Sequence, residues 1–243
     1  MLLKRVSLLL TFALLMLVPI NAFAGKMENE LRIAILNESV EMMQDAINGG
    51  ADINYIRDDY TDNPLAVAVN TGNIELVSLL LQKGANPNIQ IDGNGMITST
   101  PLLKAISMQR VDLVKLLVES GADINLPATR YYKPEQTLFS PLMQSIAAKY
   151  TKDTMTIFDY LVEKGADINY VSSERDTALL IAADGRVSVY KQEAAYQMAE
   201  KLLLKGADKS IRNARGRNAT DLAIETNFML MADLLRQKRF NKQ

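Results

Sequence analysis

The chain has 243 residues with 27 Lys or Arg, 28 Asp or Glu, and a formal net charge of −1 at pH 7. Its basic and acidic residues are interspersed, whereas nucleic-acid-binding proteins concentrate basic residues in one patch, so the composition argues against a nucleic-acid partner. The absence of His and Cys excludes disulfides, Ser-His-Asp and Cys-His catalytic groups and His- or Cys-ligated zinc, so we expect neither a metal nor a cofactor.

The first 24 residues have the features of a secretory signal peptide. Lys4 and Arg5 precede an almost wholly apolar run from Val6 to Val18, and Ala22-Phe23-Ala24 supplies the small residues of a signal-peptidase site. The run is shorter than the roughly 20 residues that cross a bilayer. We therefore expect cleavage after Ala24 and no stable membrane anchor, with the mature protein in the periplasm or, as the alternative, secreted.

A five-residue motif recurs through the rest of the chain. Gly50-Ala51-Asp52-Ile53-Asn54 is repeated from Gly84, Gly121 and Gly165, and more loosely from Gly206. Upstream of each glycine lies a segment whose apolar residues are three and four apart, which predicts a helix. The glycine suits the position just after a helix, where a left-handed backbone disfavours a Cβ.

A second motif marks the start of the preceding helix. It pairs an N-cap residue with a proline in most repeats, and both residues favour the first turn of a helix. The motif occurs as Asn63-Pro64-Leu65, Thr100-Pro101-Leu102, Ser140-Pro141-Leu142 and, more weakly, Thr177-Ala178-Leu179. Two helices per unit are therefore predicted, in six units at about residues 29–54, 63–88, 100–125, 140–169, 177–210 and 218–236.

These linked motifs resemble the ankyrin repeat, which joins a Thr-Pro-Leu-His helix start to a Gly-Ala-Asp-x-Asn turn. The resemblance covers about residues 29–236. It implies an all-α solenoid of about six helix-turn-helix units with long β-hairpin-like finger loops, as one domain over residues 25–243. The family's histidine is replaced by Ala66, Leu103, Met143 and Leu180, so the usual hydrogen bonds between neighbouring turns are not expected.

Two finger loops are longer than the repeat requires. The loop Asn88–Thr100 places apolar segments on either side of Asp92-Gly93-Asn94-Gly95, which predicts a hairpin. The loop Leu126–Ser140 is longer still and contains several aromatic residues. Because tyrosine and arginine are frequent anchors in protein interfaces, we predict that these fingers contact a partner through Asp92, Asn94, Arg130, Tyr131, Tyr132 and Phe139.

Further candidate contacts lie outside these two fingers. Tyr55 and Tyr170 follow the Asp-Ile-Asn turn of their repeats, and Arg57 and Tyr60 lie in the first finger. The alternative for the tyrosines is that they pack against the stems of their own loops. The resemblance also implies that the residue after the family's histidine faces the concave surface, which adds Val67, Lys104, Gln144 and Ile181.

Other polar segments are interpreted as surface. The carboxylates Asp58-Asp59 and Glu174 with Asp176 lie in loops, where neighbouring groups seldom share a shielded site, so we interpret them as solvated. The motif Asp92-Gly93-Asn94-Gly95 lacks the ligands of a calcium loop. Insertions at Lys149–Thr154 and Ala183–Lys191 are interpreted as either a second contact or tolerant surface loops.

The sequence therefore predicts an exported bacterial ankyrin-repeat protein that binds another protein and is not an enzyme. Two roles stay open. The first is an immunity protein or inhibitor that neutralises a secreted toxin such as a lipase, amidase or nuclease by inserting a finger. The second is a periplasmic adaptor or assembly factor that supports an oxidative-stress enzyme such as catalase through the concave face.

Overall fold

The structure is a computed structural model that describes residues 20–56, 63–92, 97–131, 136–148, 150–185 and 189–240. Within these ranges the chain forms twelve α-helices, four short strands and one 3-10 turn, Lys238–Phe240. None of the helices in the described ranges combines the length and apolar character needed to span a bilayer. The apolar run Val6–Val18 of the predicted signal peptide lies outside them.

The helices follow one another as six pairs. The pairs are α1 Ile20–Leu36 with α2 Val40–Asn48, α3 Pro64–Thr71 with α4 Ile74–Gln82, α5 Pro101–Ser107 with α6 Val111–Glu119, α7 Pro141–Ala147 with α8 Lys152–Glu163, α9 Ala178–Ala183 with α10 Val189–Leu204, and α11 Ala219–Glu225 with α12 Met229–Arg236. The strands are β1 Ile91–Asp92, β2 Ile97–Ser99, β3 Ala128–Tyr131 and β4 Gln136–Phe139. This architecture confirms the predicted ankyrin-repeat solenoid with hairpin fingers.

The chain divides into two compact units at Ala85. In the first unit, α1 packs against α2 and α3, and α3 packs against α4. In the second unit, the first helices of successive repeats pack in the order α5, α7, α9 and α11, and the second helices pack in the order α6, α8, α10 and α12. Leucines such as Leu80 in the first unit and Leu117 in the second are fully buried, so apolar packing between helices supplies the core.

The predicted N-caps are present and buried. The Asn63 Oδ1 atom accepts from the Ala66 backbone N–H at 2.7 Å, and Thr100 and Ser140 cap their helices in the same way at 3.2 and 3.3 Å. Each of these cap residues is at most 3% exposed. Because these caps are buried, water does not replace the side chain as acceptor for the backbone N–H. Removing the polar cap would therefore leave a buried donor unsatisfied and destabilise the helix start.

The predicted helix ends are also confirmed. The backbone of Gly84 has φ of +95° and that of Gly121 has φ of +92°, which is the left-handed region that glycine adopts without strain. The N–H of the following alanine donates to a carbonyl of the last helical turn, from Ala85 to Leu80 and from Ala122 to Leu117, both at 2.9 Å. These bonds satisfy carbonyls that the helix end would otherwise leave without a donor.

The asparagine of each turn links that turn to the next one. In the second unit, the Asn88 Oδ1 atom accepts from the Asp123 N–H at 2.7 Å, and its Nδ2 atom donates to the Gly121 carbonyl at 3.0 Å. The Asn169 side chain bonds the N–H of Asp208 at 2.7 Å and the carbonyl of Gly206 at 3.2 Å. Neighbouring turns are therefore hydrogen-bonded without the family's histidine, and the expectation that such bonds would be missing is wrong.

Two charged side chains, Glu28 and Lys209, form hydrogen bonds to backbone groups near the ends of the described chain. The Glu28 carboxylate, in α1 and 8% exposed, accepts from the Asp52 N–H at 3.1 Å, as the turn asparagines do elsewhere. Lys209 occupies the isoleucine position of the fifth turn, and its Nζ atom donates to the carbonyls of Leu235 at 2.9 Å and Gln237 at 3.3 Å. This contact at the end of α12 gives a structural reason for the lysine at the isoleucine position.

The two insertions are shorter than predicted. Lys152–Thr154 form the first turn of α8, with the Thr151 Oγ1 atom accepting from the Thr154 N–H at 3.2 Å, and Val189–Lys191 begin α10. Between α9 and α10, the Gly185 N–H donates to the Thr226 Oγ1 atom at 2.9 Å. A Cβ at Gly185 would lie 2.6 Å from that oxygen, so the interpretation of this segment as a tolerant surface loop is wrong at Gly185.

Replacing Asn169 by alanine removes both hydrogen bonds to the next turn. We expect the free energy of unfolding to fall by about 1–2 kcal/mol, measured by urea denaturation followed by circular dichroism. Asn169→Asp keeps the acceptor but places a carboxylate oxygen against the Gly206 carbonyl, so it should also destabilise the protein. Asn70→Ala, at an exposed position in α3, is the control and should stay within about 0.5 kcal/mol of wild type. Equal stability of the Asn169→Ala and Asn70→Ala variants would contradict this role.

Gly185→Ala is expected to lower the free energy of unfolding by about 1–3 kcal/mol, because the new Cβ must displace Thr226 and Phe228 from well-packed positions. Thr226→Ala removes the nearer of these obstacles. In a double-mutant cycle, the two substitutions together should therefore cost less than the sum of their separate effects. Strict additivity in thermal or urea denaturation would show that Gly185 does not pack against Thr226 as described.

Candidate partner-binding surface

The two fingers form one antiparallel sheet. Strand β1 pairs with β2, with Ile91 opposite Ser99, and β3 pairs with β4, with Ala128 opposite Phe139. Strand β2 also pairs with β3, with Ile97 opposite Arg130, so the strand order is β1-β2-β3-β4. The hairpin predicted in the loop Asn88–Thr100 is confirmed, whereas the pairing between the two fingers was not foreseen. A lone two-stranded hairpin is marginal in water, so the four strands stabilise one another.

The sheet contains four of the predicted contact residues. Asp92 ends β1, Arg130 and Tyr131 lie in β3, and Phe139 ends β4. The backbone of Arg130 is paired on both sides, opposite Ile97 in β2 and opposite Thr137 in β4. The remaining finger candidates, Arg57, Tyr60, Asn94 and Tyr132, lie outside the described residues.

Three of the four predicted positions on the first helices are accessible. Lys104 is exposed on α5, and Gln144 on α7 is half-buried, with its Nε2 atom donating to the Ser107 Oγ atom at 3.1 Å. Ile181 is half-buried on α9. Val67 is 4% exposed and belongs to the core around α3, so the expectation that it faces a partner is wrong.

The tyrosines after the turns are partly covered. Tyr55 and Tyr170 are both half-buried, and neither lies in the finger sheet. Burial raises the pKa of the Tyr170 hydroxyl above its usual value, and the negative charge of Asp167 raises it further. Each tyrosine therefore leaves only part of its side chain available to another molecule.

A cavity of about 630 Å³ lies in the second unit beside α9 and α11. It combines an apolar floor with acidic side chains and one arginine. The lining residues are Ala147, Glu174, Asp176, Leu180, Ile181, Asp184, Asn213, Ala214, Arg215 and Leu222. Among the described residues, no three His, Cys, Asp or Glu side chains are grouped closely enough to hold a metal ion.

Asp176 is one of the acidic residues that line this cavity, and it is half-buried. Burial raises the pKa of its carboxyl group, and the negative charges of Glu174 and Asp184 add to the increase. A hydrogen bond from Asn213 and the positive charge of Arg215 lower the pKa, but the net shift remains upward. Asp176 is half-buried, so its carboxyl group is less solvated than the sequence alone indicates.

A sequence signal for this cavity exists. The turn glycines Gly165 and Gly206 are 41 residues apart, since 206 − 165 = 41, and the same offset pairs Glu174 with Arg215. The structure joins these two loops through a hydrogen bond from the Ala214 N–H to the Glu174 carbonyl at 3.0 Å. Aligning successive repeats, rather than reading each carboxylate alone, would have placed Glu174 and Arg215 at neighbouring positions.

Comparison with known proteins finds ankyrin repeats in part of the chain. The family profile described as "Ankyrin repeats (3 copies)" matches residues 31–128. A curated mouse protein (Mus musculus), palmitoyltransferase ZDHHC13, is 36% identical over 218 residues, which cover 88% of this chain and 31% of that protein. The chain thus spans about a third of the relative's length.

Solved structures share the fold. A chain from the complex of the predatory endopeptidase Bd0816 of Bdellovibrio bacteriovorus with the immunity protein Bd3460 superimposes with a TM-score of 0.65 and 22% identity, covering 86% of this chain and 97% of that one. An ankyrin repeat domain from Acinetobacter baumannii AYE gives a TM-score of 0.68 and 20% identity, covering 84% and 95%. At these identities the comparison establishes the fold.

The raised pKa of Asp176 predicts how its replacement acts at different pH values. The folded state binds the proton of this carboxyl more tightly than the unfolded state, so wild type loses stability as the pH rises through the folded-state pKa. Asp176→Asn removes that loss. We therefore expect this substitution to raise the melting temperature relative to wild type more at pH 7 than at pH 4.

Asp112→Asn serves as a control of opposite sign. A hydrogen bond from Arg110 lowers the pKa of the Asp112 carboxyl, so its ionised form favours the folded state above the unfolded-state pKa. Its replacement should therefore cost more stability at pH 7 than at pH 4, although the exposed site makes the effect small. If Asp176→Asn shifts the melting temperature equally at both pH values, its carboxyl does not carry a raised pKa.

Proposed function

Because the chain is built from ankyrin repeats, we propose that it is a non-catalytic protein-binding module, and specifically an immunity protein or inhibitor that neutralises a secreted bacterial enzyme. The four-stranded finger sheet is the observation that carries this proposal. Arg130 and Tyr131 belong to β3, whose backbone pairs with β2 on one side and β4 on the other. Both are residue types that frequently anchor protein interfaces.

The paired fingers suit inhibition because they are ordered before binding. A free loop loses conformational entropy when it enters a partner's cleft, and this loss weakens the complex. Hydrogen bonds between β2 and β3 hold the finger Leu126–Ser140 against the finger Asn88–Thr100. The sheet therefore favours a tight complex from a small number of anchoring side chains.

The structural comparison supports the same role. One chain with this fold comes from a complex of a predatory endopeptidase with an immunity protein. That complex associates a fold of this kind with an enzyme and an immunity function. For the present chain, we propose a secreted lipase, amidase or nuclease as the partner.

We place the protein in the periplasm. The support is the basic start, the apolar run and the small residues that end at Ala24. An enzyme delivered from outside the cell would meet the protein in this compartment. Secretion into the medium is the alternative.

The adaptor role for an oxidative-stress enzyme such as catalase requires a different surface. Such a protein would use the accessible positions of the first helices, such as the exposed Lys104 on α5 and the half-buried Gln144 on α7, and would leave the partner's activity intact. Substitutions in β3 separate the two roles, because only the inhibitor depends on the finger sheet.

The test uses the mature protein and purified secreted lipases, amidases and nucleases from the same genome. We expect one of these enzymes to lose activity and to form a stable complex in size-exclusion chromatography. Arg130→Ala and Tyr131→Ala should each weaken the complex by about 30-fold, which corresponds to the loss of an anchor of about 2 kcal/mol. Deleting Ala128–Gln136 should abolish inhibition and leave the helical circular dichroism unchanged.

Lys205→Ala is the matched control, since it removes an exposed positive charge at the end of α10. It should leave inhibition within about twofold of wild type, because exposed charges remote from an interface contribute little. Full inhibition by the deletion variant would contradict the role of the fingers. A complex that retains full enzyme activity would favour the adaptor role instead.

A further inference from the structure

Helix α1 contains a buried carboxylate with one oxygen unused. Glu28 is 8% exposed, and its Oε1 atom accepts from the Asp52 N–H at 3.1 Å. Its Oε2 atom is buried and has no hydrogen-bond partner among the described residues. A buried carboxylate oxygen without a donor costs stability, so this position favours a further donor, and a positively charged one most of all.

We propose that this donor is the α-ammonium group of Gly25, which exists only after the predicted signal peptide has been cleaved after Ala24. Cleavage then modifies the fold as well as completing export, because it creates the group that completes the first repeat. The inference rests on the periplasmic location given under the proposed function, and it makes no use of the fingers.

The spacing of the two residues matches a common arrangement at helix starts. In a capping box, the side chain at the third helical position reaches back to the backbone nitrogen of the N-cap residue, three positions earlier. Helix α11 has this arrangement, in which the Asn218 N–H donates to the Asp221 Oδ2 atom at 3.1 Å. Glu28 stands at the same offset from Gly25, since 28 − 25 = 3, so its carboxylate can reach a chain terminus at Gly25.

The surroundings of Gly25 leave space for the new terminus. Gly25 is exposed, and a Cβ added there would meet no atom within 4 Å. Glycine is also accepted as an N-cap residue. The neighbouring Lys26 forms an ion pair with Glu30 at 3.6 Å. Space is therefore available for the ammonium group to turn toward Glu28.

The acidic residues of α1 suit a helix that begins at Gly25. In the full chain α1 begins at Ile20, and its first turn contains no acidic residue. After cleavage, Glu28 falls in the first turn, where a negative side chain stabilises the partial positive charge of the free backbone N–H groups. The same carboxylate offsets the ammonium group, which alone would be unfavourable at a helix start.

The pair would hold the turn that follows α2. Glu28 binds the Asp52 N–H of that turn, and a Cβ at Gly49 would lie 2.9 Å from the Sδ atom of Met27. Later turns are held by asparagines such as Asn88, which uses both atoms of its side-chain amide. Glu28 takes this place at the first turn, and the ammonium group gives its second oxygen a partner.

The test compares two chains that differ in the position of the α-amino group. One begins at Gly25 and the other at Asn21, which moves the ammonium group one helical turn, about 6 Å, along α1. Both are released from a cleavable fusion without added residues, and amide hydrogen exchange is measured by nuclear magnetic resonance. We expect the Asp52 N–H to exchange at least fivefold more slowly in the chain that begins at Gly25. The Asp123 N–H, bound by the neutral Asn88, is the internal control and should exchange equally in both.

Variants identify the partner of the ammonium group. Glu28→Gln keeps an acceptor for the Asp52 N–H and removes the charge, so the difference between the two chains should fall below about twofold. Glu30→Gln, which removes an exposed carboxylate from the same helix, is the matched control and should preserve the difference. Circular dichroism establishes that each chain is folded. Equal exchange of the Asp52 N–H in the two wild-type chains, or a difference that survives Glu28→Gln, overturns the proposal.

A second measurement addresses the cleavage itself. The full chain is expressed in a bacterial host with a periplasm, and the mass of the exported protein should correspond to residues 25–243. A different N-terminus overturns the assignment to Gly25 and leaves inhibition by the fingers intact. Because the exchange experiment needs no partner enzyme, a failure of the inhibitor role and a failure of the Gly25–Glu28 pair are distinguishable.

Discussion

The hydrogen bonds from each turn asparagine to the backbone of the next turn set the spacing of neighbouring repeats within each unit. Asn88 and Asn169 each use both atoms of the side-chain amide in this way. Helix packing alone tolerates small shifts, whereas a pair of directional bonds does not. The fixed spacing allows the fingers Asn88–Thr100 and Leu126–Ser140 to share a sheet and the loops that contain Glu174 and Arg215 to enclose a cavity.

The local structure could be predicted from the sequence because its signals act within a few residues. The N-cap Thr100 accepts a hydrogen bond from an N–H three residues away. Gly121 is favoured because the backbone at its own position is left-handed. The missing histidine led to a wrong expectation about the turns. The asparagine that links them was present in the motif, but its partners are more than 30 residues away, as with Asn88 and Asp123.

The candidate surface was predicted only in part because it depends on which repeats are neighbours. The finger Asn88–Thr100 contains its own hairpin signal, but the pairing of β2 with β3 arises only when two fingers lie side by side. The cavity has the same origin, since Glu174 and Arg215 come from different repeats. Val67 shows the reverse case, because a position exposed in the family pattern is covered in this chain.

The contact between turns is made to peptide groups, not to particular side chains. Asn169 bonds the carbonyl of Gly206 and the N–H of Asp208, and neither bond depends on the side chain at the position it meets. One repeat can therefore follow another without a matched pair of residues at the junction. Duplication, loss or exchange of whole repeats during evolution would preserve this linkage, while the fingers remain free to diverge toward new targets.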